Sequence, residues 1–287
     1  MANESHTIAC IKYNTSVIGG IQSSSFSSGL EQWLLSGSES IYATFAAVNR
    51  IAPVCRFTSI LIDVLLDLAG VTGLKIDTYS LEFWTQGFVD GGTRATTGEK
   101  ITVDKGILYP VRLTLADGEP ATIEYQAMAG SAAGTVPVTL ASAQTVPTTA
   151  TISELFTLGA VTIDTDQAPV QRVEIDFGIT CRQQFGSGSV YPTMVYIESI
   201  EPRITLTTNK VTAFVGHTLV GKPSTISITA AACTQGGVRT GTGDKVFTTS
   251  ESFMFPGTVG GSSRMPAATD ITVLPTYNGT NPIITIT

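Results

Sequence analysis

Basic residues are scarce in this 287-residue chain: sixteen Lys and Arg stand against twenty-three Asp and Glu, a net charge of −7. An acidic chain without a basic stripe is not built to grip nucleic acid through its phosphates. Histidine occurs only twice, at His6 and His217, and neither has zinc spacing or a nucleophile elbow beside it. No catalytic group, cofactor site or metal site is therefore expected, and the chain does not read as an enzyme. Long apolar runs are missing too. The most apolar one, Ile60 to Ala69, is interrupted by Asp63 and Asp67 and is far too short for a bilayer. The opening MANESHTIAC shows no basic segment followed by an apolar one, so the expectation is a soluble protein with no secretory leader and no membrane partner. Four cysteines, Cys10, Cys55, Cys181 and Cys233, occupy unmatched positions and predict scattered buried thiols, not a disulfide framework.

What the chain has in quantity is Thr, Val, Ile, Ser and Gly in short alternating runs, the composition of β-structure. It also has a copy of itself. Residues 21–58 superimpose on 170–207 without a gap at an offset of 149, with 10 identities in 38 pairs. Gln22, Gly29, Gly37, Tyr42, Thr44, Ile51, Pro53 and Thr58 meet Gln171, Gly178, Gly186, Tyr191, Thr193, Ile200, Pro202 and Thr207. Glycine and proline recur together with the apolar positions, so turn chemistry and burial pattern repeat as one. Farther on, GGTRATTGEK at 91–100 matches GGVRTGTGDK at 236–245, and LYP at 108–110 matches MFP at 254–256. The reading is a tandem duplication: domain 1 over 1–140, a linker over 141–152 and domain 2 over 153–287. Net charge divides as −5 over residues 1–149 and −2 over 150–287.

Each copy is expected to open with a strand pair, continue into a hairpin whose tip is the GS-rich turn, and return on a strand marked by Pro53 or Pro202. A helix from Ser59 to Ala69 follows, capped by Thr58 and stopped at Gly70. Its counterpart, Thr208 to Val215, is shorter and more polar. Strands near 101–108, 111–116, 121–127 and 136–140 close the first copy, and strands within 246–255 and 270–287 close the second.

Several motifs invite a chemical reading and fail it. GVRTGTGDK lacks the Gly-Lys-Ser/Thr ending of a phosphate loop, so a hairpin tip is expected there. Asp63 and Asp67 stand at i, i+4 but without a third ligand, which favours a solvated stripe over a cation site. The sequons at Asn14 and Asn278 read as chance. Arg94, Lys100, Arg239 and Lys245 are candidates for contacts between subunits, the alternative being solvated turn charges. Trp33 fits equally a contact across a subunit boundary or a satellite core contact.

A sandwich with a long hairpin, a flanking helix and the line EIDFG…GSGSVYPT…IEPRITLT resembles the tail tube proteins of long-tailed bacteriophages. The resemblance covers about residues 8–140 and 158–287. It is carried best by 174–178, 191–193 and 202–207; the first copy, with SSSFSSG where the second has RVEIDFG, departs from it. The fold it implies is mainly β: two tandem tail-tube-like β-sandwich/barrel domains, each with a long hairpin and one flanking helix. The function it implies is that of a structural virion protein, assembled in the host cytoplasm, whose stacked rings surround a lumen. The partners it implies are further copies of the chain, the tail terminator and tail tip proteins, and the tape measure protein and DNA, which pass through the lumen without specific binding. Rings in that family hold six tube domains, so a duplicated chain fits a trimer.

On that resemblance Glu174 and Asp176 are candidates to face the lumen, and Trp33, Gly37, Gly186 and the four basic residues above are candidates for contacts between subunits or rings. Four strands per domain would give about 24 in the ring, a cylinder roughly 45–50 Å across with a bore of roughly 30–40 Å. A net-negative wall is expected there, repelling phosphates so that DNA slides. The alternative function is a tandem β-sandwich adhesin or glycan-binding surface protein, which would show an exposed aromatic platform.

Overall fold

The structure, a computed structural model, describes residues 6–38, 42–89, 93–131, 133–148, 152–186, 188–209, 222–235, 239, 241, 243–262, 265–279 and 282–287. The first half runs β1 (His6–Tyr13), β2 (Ser16–Ile18), β3 (Ile21–Ser27), β4 (Leu30–Leu35), β5 (Phe45–Ile51) and β6 (Val54–Ser59), then helix α1 (Ile62–Ala69). It continues with β7 (Leu74–Ile76), β8 (Leu81–Val89), β9 (Thr93–Val103), β10 (Gly106–Ala116), β11 (Thr122–Ala129) and β12 (Val138–Thr145). The second half runs β13 (Glu154–Ile163), β14 (Asp166–Ala168), β15 (Arg172–Asp176), β16 (Ile179–Phe185), β17 (Pro192–Ile200) and β18 (Arg203–Thr208). It ends with β19 (Lys222–Ser224), β20 (Ile226–Thr234), β21 (Lys245–Thr249), β22 (Glu251–Ser262), β23 (Met265–Thr276) and β24 (Ile284–Ile286).

The chain is mainly β, with one short helix among the described residues and several antiparallel sheets that close no barrel. The halves repeat strand for strand. A five-stranded sheet ordered β12-β9-β8-β1-β2 in the first becomes β24-β21-β20-β13-β14 in the second, each strand number raised by twelve. Hairpin β4–β5 likewise corresponds to β16–β17. The remaining strands of both halves form a single ten-stranded sheet, ordered β3-β6-β11-β10 and then β15-β18-β23-β22-β19, with β7 beside one end of β10.

The repeated glycines and prolines have physical reasons. Gly29 and Gly178 turn the corner from β3 to β4 and from β15 to β16 with φ of 55° and 59°. A Cβ on Gly29 would lie 2.2 Å from the Ala52 oxygen, and one on Gly178 would lie 1.9 Å from the Glu201 oxygen. The left-handed backbone and the close approach both demand glycine. Each corner is fixed by a side chain two residues earlier: Gly29 N–H donates to Ser27 Oγ at 3.2 Å and Gly178 N–H to Asp176 Oδ1 at 3.0 Å. Pro53 and Pro202 do more than mark a bulge. They end β5 and β17, and the chain re-enters as β6 and β18 in a different sheet, so the expected long return strand is two strands.

Helix α1 is shorter than expected. Thr58 and Ser59 belong to β6, and the Ser59 hydroxyl, not Thr58, accepts the Leu61 N–H at 3.0 Å while donating to the Gly19 oxygen at 3.0 Å. Ladder pairing of Thr58 and Ser59 with β11 outcompetes a first helical turn there. The stop at Gly70 is as the sequence predicts: φ is 57° and its N–H donates to the Leu66 oxygen at 2.8 Å. The counterpart expected over Thr208–Val215 begins at the end of β18, and its residues 210–215 lie outside the described residues. Of the stretch expected as a linker, residues 141–145 continue β12.

One face of the ten-stranded sheet is apolar and packs on both five-stranded sheets and on α1. Phe57, Leu113, Leu115, Tyr125, Val173, Ile175, Leu206 and Val273 are all at most 1% exposed in a single cluster that spans the two halves. Fully burying a side chain of this size is worth about 1.5–3 kcal/mol, so the core, rather than any polar contact, holds the sandwich together. Tyr125 anchors the helix as well. Its hydroxyl donates to the Leu65 and Gly70 oxygens at 3.2 and 3.0 Å, and its ring stacks on Phe57.

Candidate functional site

The feature that singles out this molecule is the joint at the middle of its long sheet. Strand β10 of the first half and β15 of the second pair antiparallel over five residues, from Arg112↔Asp176 to Ala116↔Arg172. Two backbone bonds extend the ladder, Phe177 N–H to the Val111 oxygen at 3.0 Å and Asp117 N–H to the Gln171 oxygen at 2.9 Å. On the core side Leu113 faces Ile175 and Leu115 faces Val173, all fully buried. On the other side Arg112 pairs with Glu174 at 3.3 Å and Arg172 reaches it at 3.6 Å. Leaving two strand edges unpaired would invite association with any other edge. Here the two halves satisfy each other.

Hairpin β16–β17 reinforces the joint by lying across the end of the first half. Gln183 Nε2 donates to the Pro53 and Ala129 oxygens at 3.2 and 2.8 Å. Ile51 N–H donates to the Val190 oxygen at 2.9 Å and Ser131 N–H to the Pro192 oxygen at 2.7 Å. Gly130 is bare where the hairpin crosses: a Cβ there would meet Val195 Cγ2 at 2.7 Å. The Arg50 guanidinium sits 4.9 Å above the centre of the Phe185 ring.

Glu174 and Asp176 lie on the face of the sheet turned away from the core, as expected, with Val173 and Ile175 on the other. That face is not net-negative. Arg56, Lys75, Arg112, Arg172 and Arg203 share it with Glu124, Glu174, Asp176, Glu251 and Asp270, a balance of five and five among the described residues. The acidic surplus sits elsewhere, Asp63 and Asp67 of α1 being part of it. Most of the face is internally paired: Arg56 reaches Glu124 at 3.2 Å and donates to Gln126 Oε1, and Thr207 Oγ1 donates to Asp270 at 2.7 Å.

The basic candidates divide. Lys245, on β21 of the second half, reaches Asp63 at 2.8 Å and Asp67 at 2.9 Å on α1 of the first. The stripe expected to be merely solvated is thus the seat of an ion pair between halves, with the Lys245 pKa raised above its ordinary value by its bonds to Asp63 and then Asp67. Arg239 also bridges the halves, to Asp117 at 2.8 Å. Lys100 instead stays within its half, 3.1 Å from Glu82 and 5.3 Å over the Trp84 ring, and Arg94 is exposed on β9. The sequence held no signal for the Lys245 contact, because Asp63 and Lys245 are far apart in the chain and meet only once β10 and β15 have paired.

Trp33 lies on β4, 53% exposed, so a core contact is not its role in the single chain. The whole of hairpin β4–β5 is similar: Leu34, Leu35, Phe45 and Val48 are all about half exposed or more. The glycines at the two hairpin ends are matched in use. Gly37 N–H donates to Thr44 Oγ1 at 3.1 Å, and a Cβ on Gly186 would press on Thr193 at 3.0 Å.

Among the described residues no three His, Cys, Asp or Glu side chains are placed to hold a metal, and no helix is long and apolar enough to cross a membrane. All four cysteines are free thiols, three of them buried, and burial pushes Cys10, Cys55 and Cys181 up to about 11, 12 and 11. No protein-family model matches the chain, and no curated protein matches it.

Proposed function

We propose that the chain is a tail tube subunit: a structural virion protein whose two tandem tail-tube-like sandwich domains build three-chain rings that stack around a lumen. The supporting observation is the joint. Each half contributes four long strands in the same order to one continuous sheet, with its core on one face and a polar surface on the other. Three chains joined end to end as the halves are joined would place 24 such strands around an axis, giving a bore of roughly 30–40 Å. The polar face would line it. With Arg56, Arg112 and Arg172 already engaged by carboxylates, that wall offers DNA few unpaired cations to stick to. The tape measure protein and DNA would pass along it, and the terminator and tip proteins would meet the end rings.

Negative-stain microscopy of the purified chain, with sedimentation velocity, tests the reading. Rings or tubes of six-fold appearance, built from three chains, are the expected result. A monodisperse monomer at every concentration and ionic strength is the contrary one.

One observation favours the second reading, a glycan-binding surface protein. Hairpin β4–β5 presents Trp33, Phe45 and Tyr42 to solvent, as an aromatic platform would. Saturable binding of an oligosaccharide by the monomer, lost in Trp33→Ala, would favour it over the tube.

A further inference from the structure

The joint inside the chain has vacant equivalents at both ends of the molecule. Under the offset of 149, Ser23–Ser27 of β3 correspond to Arg172–Asp176 of β15, and both strands keep the same register on their inner neighbours, β6 and β18. Under an offset of 146, residues 258–262 of β22 correspond to 112–116 of β10; Leu113↔Ile123 and Val259↔Thr269 are the same ladder position. Strands β7 and β19 cover the same part of β10 and β22 and leave the same part bare. Thus β3 is an open edge of the kind β15 would be alone, and the far part of β22 is an open edge of the kind β10 would be alone. Among the described residues no strand pairs with either.

The hairpins tell the same story. Hairpin β16–β17 is docked on Ile51, Pro53, Ala129 and Ser131 of the first half, whereas β4–β5 is held only at its base, through Arg50 and Ile51, and leaves Trp33, Leu34 and Leu35 exposed. Around the second-half positions equivalent to that dock lies an open apolar cleft of about 230 Å³, lined by Phe177, Ile200, Pro202, Tyr277 and Ile283 together with Val71 of the first half. Ile200 is the counterpart of Ile51, Pro202 of Pro53 and Tyr277 of Ser131. Side-chain chemistry differs mainly on the hairpin. Where Gln183 donates to backbone oxygens in the polar internal dock, its counterpart on the free hairpin is Leu34, 57% exposed, beside Trp33. The free hairpin is thus the more apolar of the two, and the cleft keeps the isoleucine and proline of the internal dock while exchanging its serine for Tyr277.

We propose that a second copy of this chain fills both vacancies by repeating the internal joint. Strand β3 of one copy pairs antiparallel with β22 of the next in a defined register: Ser27↔Thr258, Phe26↔Val259, Ser25↔Gly260, Ser24↔Gly261 and Ser23↔Ser262. Hairpin β4–β5 of the first copy lies in the Pro202–Tyr277 cleft of the next. Phe26 is 41% exposed in the single chain, whereas its counterpart Ile175, with the joint made, is fully buried. Glycine- and serine-rich edges specify register weakly, so the hairpin in its cleft selects the register that the backbone ladder then completes. The two contact surfaces differ, so the association is head-to-tail and closes into a ring or runs on as a filament. The inference rests on the tube-subunit reading for a closed ring of three; the joint itself does not.

Disulfide trapping tests it. With Cys233→Ser as background, Ser27→Cys combined with Thr258→Cys should give chain-to-chain cross-links under mild oxidation, ending at a closed trimer on denaturing gels. Ser23→Cys with Thr258→Cys, four residues out of register, should give none. Independently, Trp33→Asp or Leu34→Asp should weaken self-association by roughly tenfold or more while leaving the thermal midpoint of the monomer unchanged. Rings in the microscope without the Ser27–Thr258 cross-link would overturn this interface and leave the tube reading standing. A chain that never associates would overturn both.

Discussion

Lys245 is the residue on which the two halves lean most visibly. Its ammonium group sits between Asp63 and Asp67, and Asp67 is exposed enough for solvent to screen much of the attraction. We expect Lys245→Met to lower stability at neutral pH by about 1 kcal/mol or less. The pH dependence has a definite sign. A pKa raised on folding contributes stability that is complete below the ordinary value of 10.5 and is lost as pH rises through the folded value. On the alkaline side, wild type and variant should therefore converge in urea titrations above about pH 10.5. The thiols give a second expectation at this scale. With Cys10, Cys55 and Cys181 buried and raised, native alkylation should mark Cys233, the half-buried one, well before the rest, as peptide mass spectrometry can follow.

At the scale of elements, the corner glycines and the helix anchor carry the predictions. Gly178→Ala places a side chain at φ of 59° and against the Glu201 oxygen, which should cost about 1–3 kcal/mol for the backbone alone. Gly29→Ala should cost a similar amount, because its corner is built the same way, and a shift in denaturant midpoint measures both. Tyr125→Phe removes the buried hydroxyl that bridges the Leu65 and Gly70 oxygens at the end of α1, a loss of about 1–3 kcal/mol. The repeated Gly-Pro framework was legible in the sequence, since its cause is local. The split of the return strand into β5 and β6 was not, because alternation looks the same whether a strand stays in its sheet or changes sheets at a proline.

For the whole molecule, the question is whether two sandwiches behave as two. Leu113 and Leu115 of the first half and Val173 and Ile175 of the second belong to one core, so calorimetry should show a single unfolding transition in place of two. Leu115→Ala, cut into that shared core at the joint, should cost about 2–5 kcal/mol and keep the transition single. If two transitions resolve and only one moves, the halves are independent bodies and the continuous sheet is not the organising element. Charge belongs to this scale too. A net charge of −7 suggested an acidic wall, yet folding distributes it so that the polar face is balanced and the surplus lies on the flanks.

By itself the sequence determined that the chain is β-rich and that it is written twice, with glycine and proline repeating alongside the apolar positions. Those follow from composition, offset and local backbone sterics. Only the tertiary structure decided that β10 meets β15, that Lys245 finds α1, and that β3, β22, hairpin β4–β5 and the Pro202 cleft are left over. Strand pairing across some sixty residues depends on which edges remain unsatisfied after everything local has formed. That is a property of the assembled sheet, and no window of sequence contains it.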